Sequence, residues 1–274
     1  MDDLDKIGYW TEIKLNILKE YAGAYAKILS KQSSIKHYAY IDAFAGAGHH
    51  FSETTGNIVE GSPVQALGVD PPFSHYHFVE MNPNRIELLN KITMGRKDVS
   101  IYQGDSNQIL VREVFPKCKY SDFRRALCLL DPYQLNPSWD VVLTAGKMKS
   151  IEIFLNFMIM DANMNVLWKD NKKVNPEQRE RMTTFWGDDT WENVAYKTEA
   201  GLFENIVEKT SNKEIIKAYQ DRLKAVAGFE YVPDPLPMRN SKGLVVYYLF
   251  FASHNETGAR IAKSVFKKWK NKGY

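Results

Sequence analysis

The chain has 274 residues, 44% hydrophobic, 13% aromatic and 25% charged, which is enough apolar material for a full-sized core in one large or two small domains. Lys and Arg number 36 against 33 Asp and Glu, a net charge of +3 that excludes identifying a nucleic-acid binder from bulk charge and leaves charge to be read locally. Cys118 and Cys128 form neither a disulfide framework nor a C-x-x-C pair, the start MDDLDKIGYW lacks an apolar signal core, and runs such as LVVYYLFFA fall short of a membrane span, so the composition predicts a cytoplasmic protein without structural zinc.

Taken in chain order, the elements alternate. Residues 11 to 29 carry Ile13, Ile17, Tyr21, Ala24 and Ile28 at three- and four-residue spacing, which predicts an amphipathic helix packed on a sheet. YAYIDAF follows as a strand, and Ser62 with Pro63 makes an N-cap and first-turn pair for the next helix. HYHFVEMN is a second strand bounded by Asn82-Pro83. DVSIYQGD (98 to 105), RALCLLDPY (125 to 133) and IEIFLNFM (151 to 158) continue the series with helical segments between them, the spacing of parallel βαβ units. EYVPDPLPMRNSKGLVVYYLFFASH reads as two strands turning at Asn240 to Gly243, an antiparallel hairpin on an otherwise parallel sheet. The polar, Trp-bearing stretch 160 to 211 reads as a helical insertion within a single domain, 1 to 274. The predicted class is α/β.

The first strand ends in an acid and a glycine turn, the geometry of a nucleotide-type cofactor site at the switch point of a doubly wound sheet. A dinucleotide fingerprint would need a third glycine where Phe51 stands, and the next helix starts only at Ser62, so NAD is disfavoured. A cofactor without phosphates, such as S-adenosylmethionine, needs close backbone approach at its amino-acid part and carboxylates for its ribose hydroxyls and adenine amine. Glu80, Asp105 and Asp131 end the second, third and fourth strands, so three successive strands deliver an acid to one sheet edge. Each piece also has a plainer reading: Gly46 and Gly48 as a tight turn, Glu80 or Asp105 as a strand-end or capping acid, Asp131-Pro132-Tyr133 as a surface turn. The acids together favour a site.

The stretches YIDAFAGAG, GSPVQAL, VEMN, YQGDSN and CLLDPYQLNPSWD resemble the class I S-adenosylmethionine-dependent methyltransferases. They are similar in particular to the three-Cys-motif partner protein family, from KLNILKEYAGAYAKIL to about Asn165. The resemblance implies a Rossmann-like methyltransferase sheet of seven strands whose last two form the hairpin. It implies Asp42, Phe44, Ala45, Gly46 and Gly48 at the methionine end of the cofactor, Glu80 at the ribose, Met81 against the adenine, and Asp105 and Ser106 at the adenine edge. It also implies a protein partner bearing a three-cysteine motif, which this chain itself lacks.

In methyltransferases that act on exocyclic amines of bases, a D-P-P-Y motif at the fourth strand end supplies the acid and the following carbonyl as acceptors, and its aromatic stacks on the base. Here the motif is DPYQ. Asp131 and the Pro132 carbonyl remain as acceptors, Tyr133 replaces the second proline and Gln134 the aromatic, so stacking falls to Tyr133 or to a neighbour such as Trp139. Asp131, Pro132 and Tyr133 are the catalytic candidates.

Cationic side chains gather in two places, Lys169, Lys172, Lys173, Arg179 and Arg181 in the insertion and Arg260, Lys263, Lys267, Lys268, Lys270 and Lys272 near the end. Both suit solvated helix faces or phosphate contacts, and Lys172, Lys173, Lys267 and Lys268 are the substrate-binding candidates. His49, His50, His75 and His77 lack a third ligand, and no metal is expected. The functional expectation is an S-adenosylmethionine-dependent methyltransferase acting on nucleic acid at an amine nitrogen. The alternatives are a methyltransferase of a protein or small molecule, and a catalytically silent scaffold that binds the cofactor or a partner.

Overall fold

A computed structural model describes residues 4–200 and 205–270. A short strand β1 (Lys6–Ile7) leads into α1 (Tyr9–Leu29), which buries Ile13, Ile17, Leu18 and Tyr21 along one stripe. The strand β2 (His37–Asp42) is buried from Ala39 onward. After it comes a hairpin that apolar alternation does not announce, β3 (His49–Ser52) and β4 (Ile58–Glu60), and β1 pairs in parallel with β3 to make a three-stranded side sheet. The helix α2 (Ser62–Leu67) is preceded by Gly61 in the N-cap position, so Ser62 lies one residue inside the helix rather than capping it.

The next strand is β5 (His75–Glu80), followed by α3 (Pro83–Ile92), where Asn82 caps the helix by accepting from the Asn84 amide at 2.9 Å. Then come β6 (Val99–Gln103), α4 (Ser106–Ile109) running on through π and 3-10 turns to Cys118, β7 (Arg124–Leu130), α5 (Trp139–Met148) and β8 (Ile151–Phe157). The stretch expected as a helical insertion holds α6 (Ile159–Asn165), α7 (Pro176–Trp186) and α8 (Trp191–Ala195). It also holds an antiparallel pair, β9 (Tyr196–Ala200) and β10 (Asn205–Lys209). The chain closes with α9 (Asn212–Ala225), the hairpin β11 (Leu236–Arg239) and β12 (Val245–Ala252), and α10 (Glu256–Trp269).

Seven strands form the main sheet in the order β11-β12-β8-β7-β2-β5-β6. The five from β8 to β6 are mutually parallel, and β12 is antiparallel to both of its neighbours. This is the Rossmann-like methyltransferase sheet with its terminal hairpin. Both faces are covered, which is why the strands read as near-continuous apolar runs. On one face Ile41, Val79, Cys128 and Ile153 meet Val142 of α5 and Tyr219 of α9; on the other Tyr40, Phe78, Leu129 and Phe154 meet Ile17 and Tyr21 of α1 and Phe266 of α10. From β2 the chain moves outward through β5 and β6, then returns to β7 and β8 on the other side. That reversal opens a crevice at the carboxyl ends of β2 and β7. Among the described residues no helix is long and apolar enough to cross a membrane.

Candidate functional site

The crevice begins where β2 runs out. The Ala43 amide bonds to Leu129 O on β7 and the Ala45 amide to Val79 O on β5, each at 3.0 Å, so the chain leaves the sheet pinned to both neighbours. Gly46 and Gly48 then take φ of +64° and +81°, the left-handed region that glycine enters without penalty. A Cβ on Gly48 would also stand 2.6 Å from Ile92 Cδ1, whereas one on Gly46 would meet nothing within 4 Å. Gly48 is therefore fixed by packing, and Gly46 leaves an open cradle.

Glu80 anchors that cradle. Its Oε2 accepts the Gly46 amide at 2.8 Å, and its Oε1 accepts the amides of Met81 at 2.9 Å and Asn82 at 2.8 Å. Met81 stands beside it, 65% exposed, an apolar surface left mostly open. Asp105 caps α4 through Oδ1, which accepts the Asn107 amide at 2.9 Å, and Ser106 is buried in the first turn. Both plainer readings of these acids, turn anchor and helix cap, are thus real local roles.

Asp42 lies wholly beneath the crevice. Its Oδ1 accepts the Phe44 amide at 3.2 Å while its buried Oδ2 has no partner. Burial pushes the carboxyl up to about 7, the charge of Asp131 adding to the shift and the nearby Ser62 hydroxyl and Phe44 amide opposing it. The hydroxyl expected to cap α2 instead sits beside this acid.

Asp131 follows β7 directly and is held from two sides. Lys14, buried on α1, donates to Oδ2 in an ion pair, and Asn156 on β8 donates to Oδ1. Tyr133 donates its hydroxyl to Asp5, which also accepts from Arg85 of α3 at 2.6 Å, so the N-terminal segment is strapped across the crevice mouth. The rest of the DPYQ loop is tied to the insertion: Arg181 donates to the Gln134 side chain at 2.7 Å and pairs with Asp161 at 3.0 Å, and Asp161 accepts the Leu135 amide at 3.3 Å.

A cavity of about 210 Å³ collects the two halves of the expected site, with Phe44, Ala45 and Gly46 on one wall and Asp131, Pro132 and Tyr133 on the other. Glu80, Met81, Asp105 and Ser106 lie along the same sheet edge but outside this cavity. Trp139 does not face it, a correction to the expected stacking role: it is 5% exposed, packed edge-on against Tyr219 and covered by the Arg222 guanidinium. The cationic candidates do not line it either. Lys172 and Lys173 sit in an exposed turn where Lys173 pairs with Asp170 at 3.3 Å, Lys267 is exposed on α10, and Lys268 pairs with Glu20 of α1 at 2.8 Å. Lys272 lies outside the described residues.

Four residues that sequence reasoning did not assign to the site line this cavity. Lys14 and Asn156 hold Asp131, Asp5 holds Tyr133, and His50 lines the same cavity with its Nδ1 buried and unpartnered. Burial first, then the nearby Lys14 charge, lower the His50 pKa and keep the ring neutral. Lys14 left a signal, since it precedes Ile17, Leu18 and Tyr21 by three, four and seven residues and so falls inside the apolar stripe.

No protein-family model matches the chain, and no curated protein matches it in sequence. Among solved structures it is similar to a Legionella pneumophila protein of the DUF519 family, with a TM-score of 0.52, 10% identity, and coverage of 94% of this chain and 93% of that one. That likeness is one of fold. More distant likenesses include the Methanococcus jannaschii fibrillarin pre-rRNA processing protein, with a TM-score of 0.40, 13% identity and coverage of 84% and 72%. A putative methyltransferase from Thermobifida fusca gives a TM-score of 0.39, 13% identity and coverage of 87% and 80%.

Proposed function

We propose that this chain is an S-adenosylmethionine-dependent methyltransferase acting on nucleic acid at an amine nitrogen. The observation that carries the reading is the shared cavity, in which the Phe44-Gly46 turn faces Asp131, Pro132 and Tyr133. The residues present fit the cofactor: Gly46 offers a cradle with no side chain in it, Asp42 keeps an unpartnered oxygen, and Met81 presents a bare apolar face. Asp42, Phe44, Ala45, Gly46 and Gly48 would hold its amino-acid end, Glu80 its ribose, and Met81, Asp105 and Ser106 its adenine. When bound, the cofactor supplies an electrophilic methyl group on a sulfonium.

The chain's own part is positioning. Asp131 and the Pro132 carbonyl accept hydrogen bonds from the incoming amine and aim its lone pair. Lys14 and Asn156 fix the carboxylate while leaving it acceptor capacity, since a carboxylate has about four lone-pair sites. Tyr133 supplies a ring in the cavity lining, and the neutral His50 imidazole offers a proton acceptor in the same lining. Lys6 puts a cation in the cavity lining, which favours an anionic substrate.

The resemblance to the three-Cys-motif partner family extends the proposal to a protein partner and a cytoplasmic, single-domain enzyme carrying an insertion. Calorimetry with S-adenosylmethionine, followed by transfer from labelled cofactor to RNA, DNA and protein pools at two salt concentrations, tests the whole reading. Label in nucleic acid that falls with salt is the expected result. Salt-independent label in protein alone would assign a protein methyltransferase, and cofactor binding without transfer to any pool would assign the scaffold.

A further inference from the structure

The opposite end of the sheet carries a feature that the candidate site does not use. Along β5 the side chains alternate, with Tyr76 and Phe78 in the apolar layer beneath α1 and His75 and His77 on the other face. Register places His75 beside Ala39 and His77 beside Ser100, and sets His37 opposite Arg124. A face that is apolar further along therefore turns basic at its starting edge. The covering segment ends in the turn Phe115–Cys118, leaving a cavity of about 310 Å³ lined by His37, His75, His77, Lys117, Arg124 and Arg125.

No carboxylate lines this cavity. Among the described residues, the two permanent cations on this face donate to neutral oxygens and to no acid, Lys117 Nζ to the Tyr102 hydroxyl at 2.9 Å and Arg124 Nη1 to Lys117 O at 3.0 Å, while Arg125, the next residue on β7, carries its guanidinium on the opposite face, 3.8 Å over the Tyr120 ring. Asp98, the acid whose charge reaches His75, is already bridged to Arg96 at 2.6 Å. In a chain of net charge +3, such a concentration of unneutralised cations in a concavity is a local arrangement and not a consequence of composition.

The hydrogen bonds also orient a donor inward. Lys117 can only donate to the Tyr102 oxygen, and His77 Nδ1 lies 3.0 Å from the same oxygen. Tyr102 satisfies its own proton by donating it to Nδ1, which puts the proton of the neutral ring on Nε2. His77 is 4% exposed, and among the described residues its Nε2 makes no hydrogen bond. Burial, then the charges of His75 and Lys117, push this ring down to about 3, so the cavity is lined by a neutral His77 donor beside permanent cations. Ser74 and Ser100 add hydroxyls to the lining.

We infer that this cavity binds the phosphate group of a phosphorylated ligand, at the sheet edge opposite the candidate catalytic crevice. From His75 to Glu80 the strand advances five residues, roughly 16 Å, so the two sites do not share a ligand contact. One guanidinium, that of Arg124, one ammonium and an imidazole N–H gather here with no carboxylate among them. A tetrahedral dianion uses that set, whereas a carboxylate with one charge and two oxygens leaves donors unmatched. The proposal does not depend on the methyltransferase reading.

Titrating the intact protein with inorganic phosphate, against chloride at equal ionic strength, tests it by calorimetry. Saturable phosphate binding is expected, weakened at least about tenfold in Lys117→Glu and in His75→Gln, with S-adenosylmethionine binding unchanged in both. Lys117 is exposed and His75 half-buried, so neither change empties the core. A nucleoside monophosphate and a short oligonucleotide without terminal phosphates serve as competitors. Displacement by both identifies backbone phosphates as the source, and displacement by the mononucleotide alone identifies a small phosphorylated molecule. Phosphate behaving as chloride does, or affinity indifferent to both substitutions, would overturn the assignment.

Discussion

Glu80 accepts three backbone amides, and a carboxylate offers about four lone-pair sites, so one remains for a ligand hydroxyl while the turn stays intact. The contact proposed for the ribose is thus built on a group that also shapes the glycine turn. Glu80→Ala removes both, and the expected outcome is a loss of about 1.5 to 3 kcal/mol in S-adenosylmethionine binding, one to two decades by calorimetry. A lower thermal midpoint should accompany it, because the buried Gly46 amide and the exposed amides of Met81 and Asn82 lose their acceptor. Affinity equal to the parent's would remove Glu80 from the ribose. Asp131 differs, since its partners are side chains and none belongs to the glycine turn. Asp131→Ala should abolish single-turnover methyl transfer and leave most cofactor binding intact, because the acid orients the nucleophile. Tyr133→Phe should be milder than Tyr133→Ala, as only the second removes the ring. Full transfer by Asp131→Ala would sink the catalytic assignment.

Between elements, the strongest tie to the site is the one α1 makes by carrying Lys14 to Asp131, 117 residues away in sequence. Lys14 and Asp131 side chains are 6% and 20% exposed, so this is a largely desolvated pair, and removing one partner strands the other charge. Lys14→Met should cost about 3 kcal/mol in denaturant unfolding, and Lys14→Met with Asp131→Ala should recover part of that loss. Losses that simply add would show that the two side chains do not depend on each other. The main strands were legible because burial on both faces makes each an apolar run ending at the crevice, and Glu80, Asp105 and Asp131 were legible as its acids. The strands β1, β3 and β4 were not, being two to four residues long with no apolar alternation to mark them, and β9 and β10 lie in a polar stretch. Lys14 stood visible in its stripe, but sequence gives no pairing over such a separation. Trp139 misled for a related reason: nearness to DPYQ in the chain says nothing of the face on which α5 begins, and that face is the core.

At the scale of the whole molecule, two carboxyls inside the fold titrate near neutrality and set how its stability depends on pH. Asp42 is pushed up to about 7 by burial beneath the crevice. Glu152, which accepts the hydroxyls of Tyr21 and Ser253, is likewise pushed up to about 7 by burial, with those two hydrogen bonds opposing. A carboxyl raised on folding binds its proton more tightly in the folded than in the unfolded chain. Between its ordinary value and about 7 the folded state therefore holds more protons, and stability falls as pH rises through that window. Asp98 and Asp188 are lowered, chiefly by hydrogen bonds to Arg96 and to Thr190 and Arg222 that outweigh their slight burial. Their stabilisation is lost only as pH falls below the usual carboxylate range, so the two effects do not overlap. Urea unfolding from about pH 5 to pH 8 should give a midpoint that declines, with Asp42→Asn and Glu152→Gln each flattening the decline. The two variants separate at the site. A net cationic cofactor held by the Gly46 turn favours ionised Asp42, so binding near neutrality should release a proton, read as a calorimetric heat that changes with the ionisation enthalpy of the buffer. That buffer dependence should vanish in Asp42→Asn and persist in Glu152→Gln, which lies at the far end of the sheet. Its persistence in Asp42→Asn would place the titrating group elsewhere and take Asp42 out of the cofactor site.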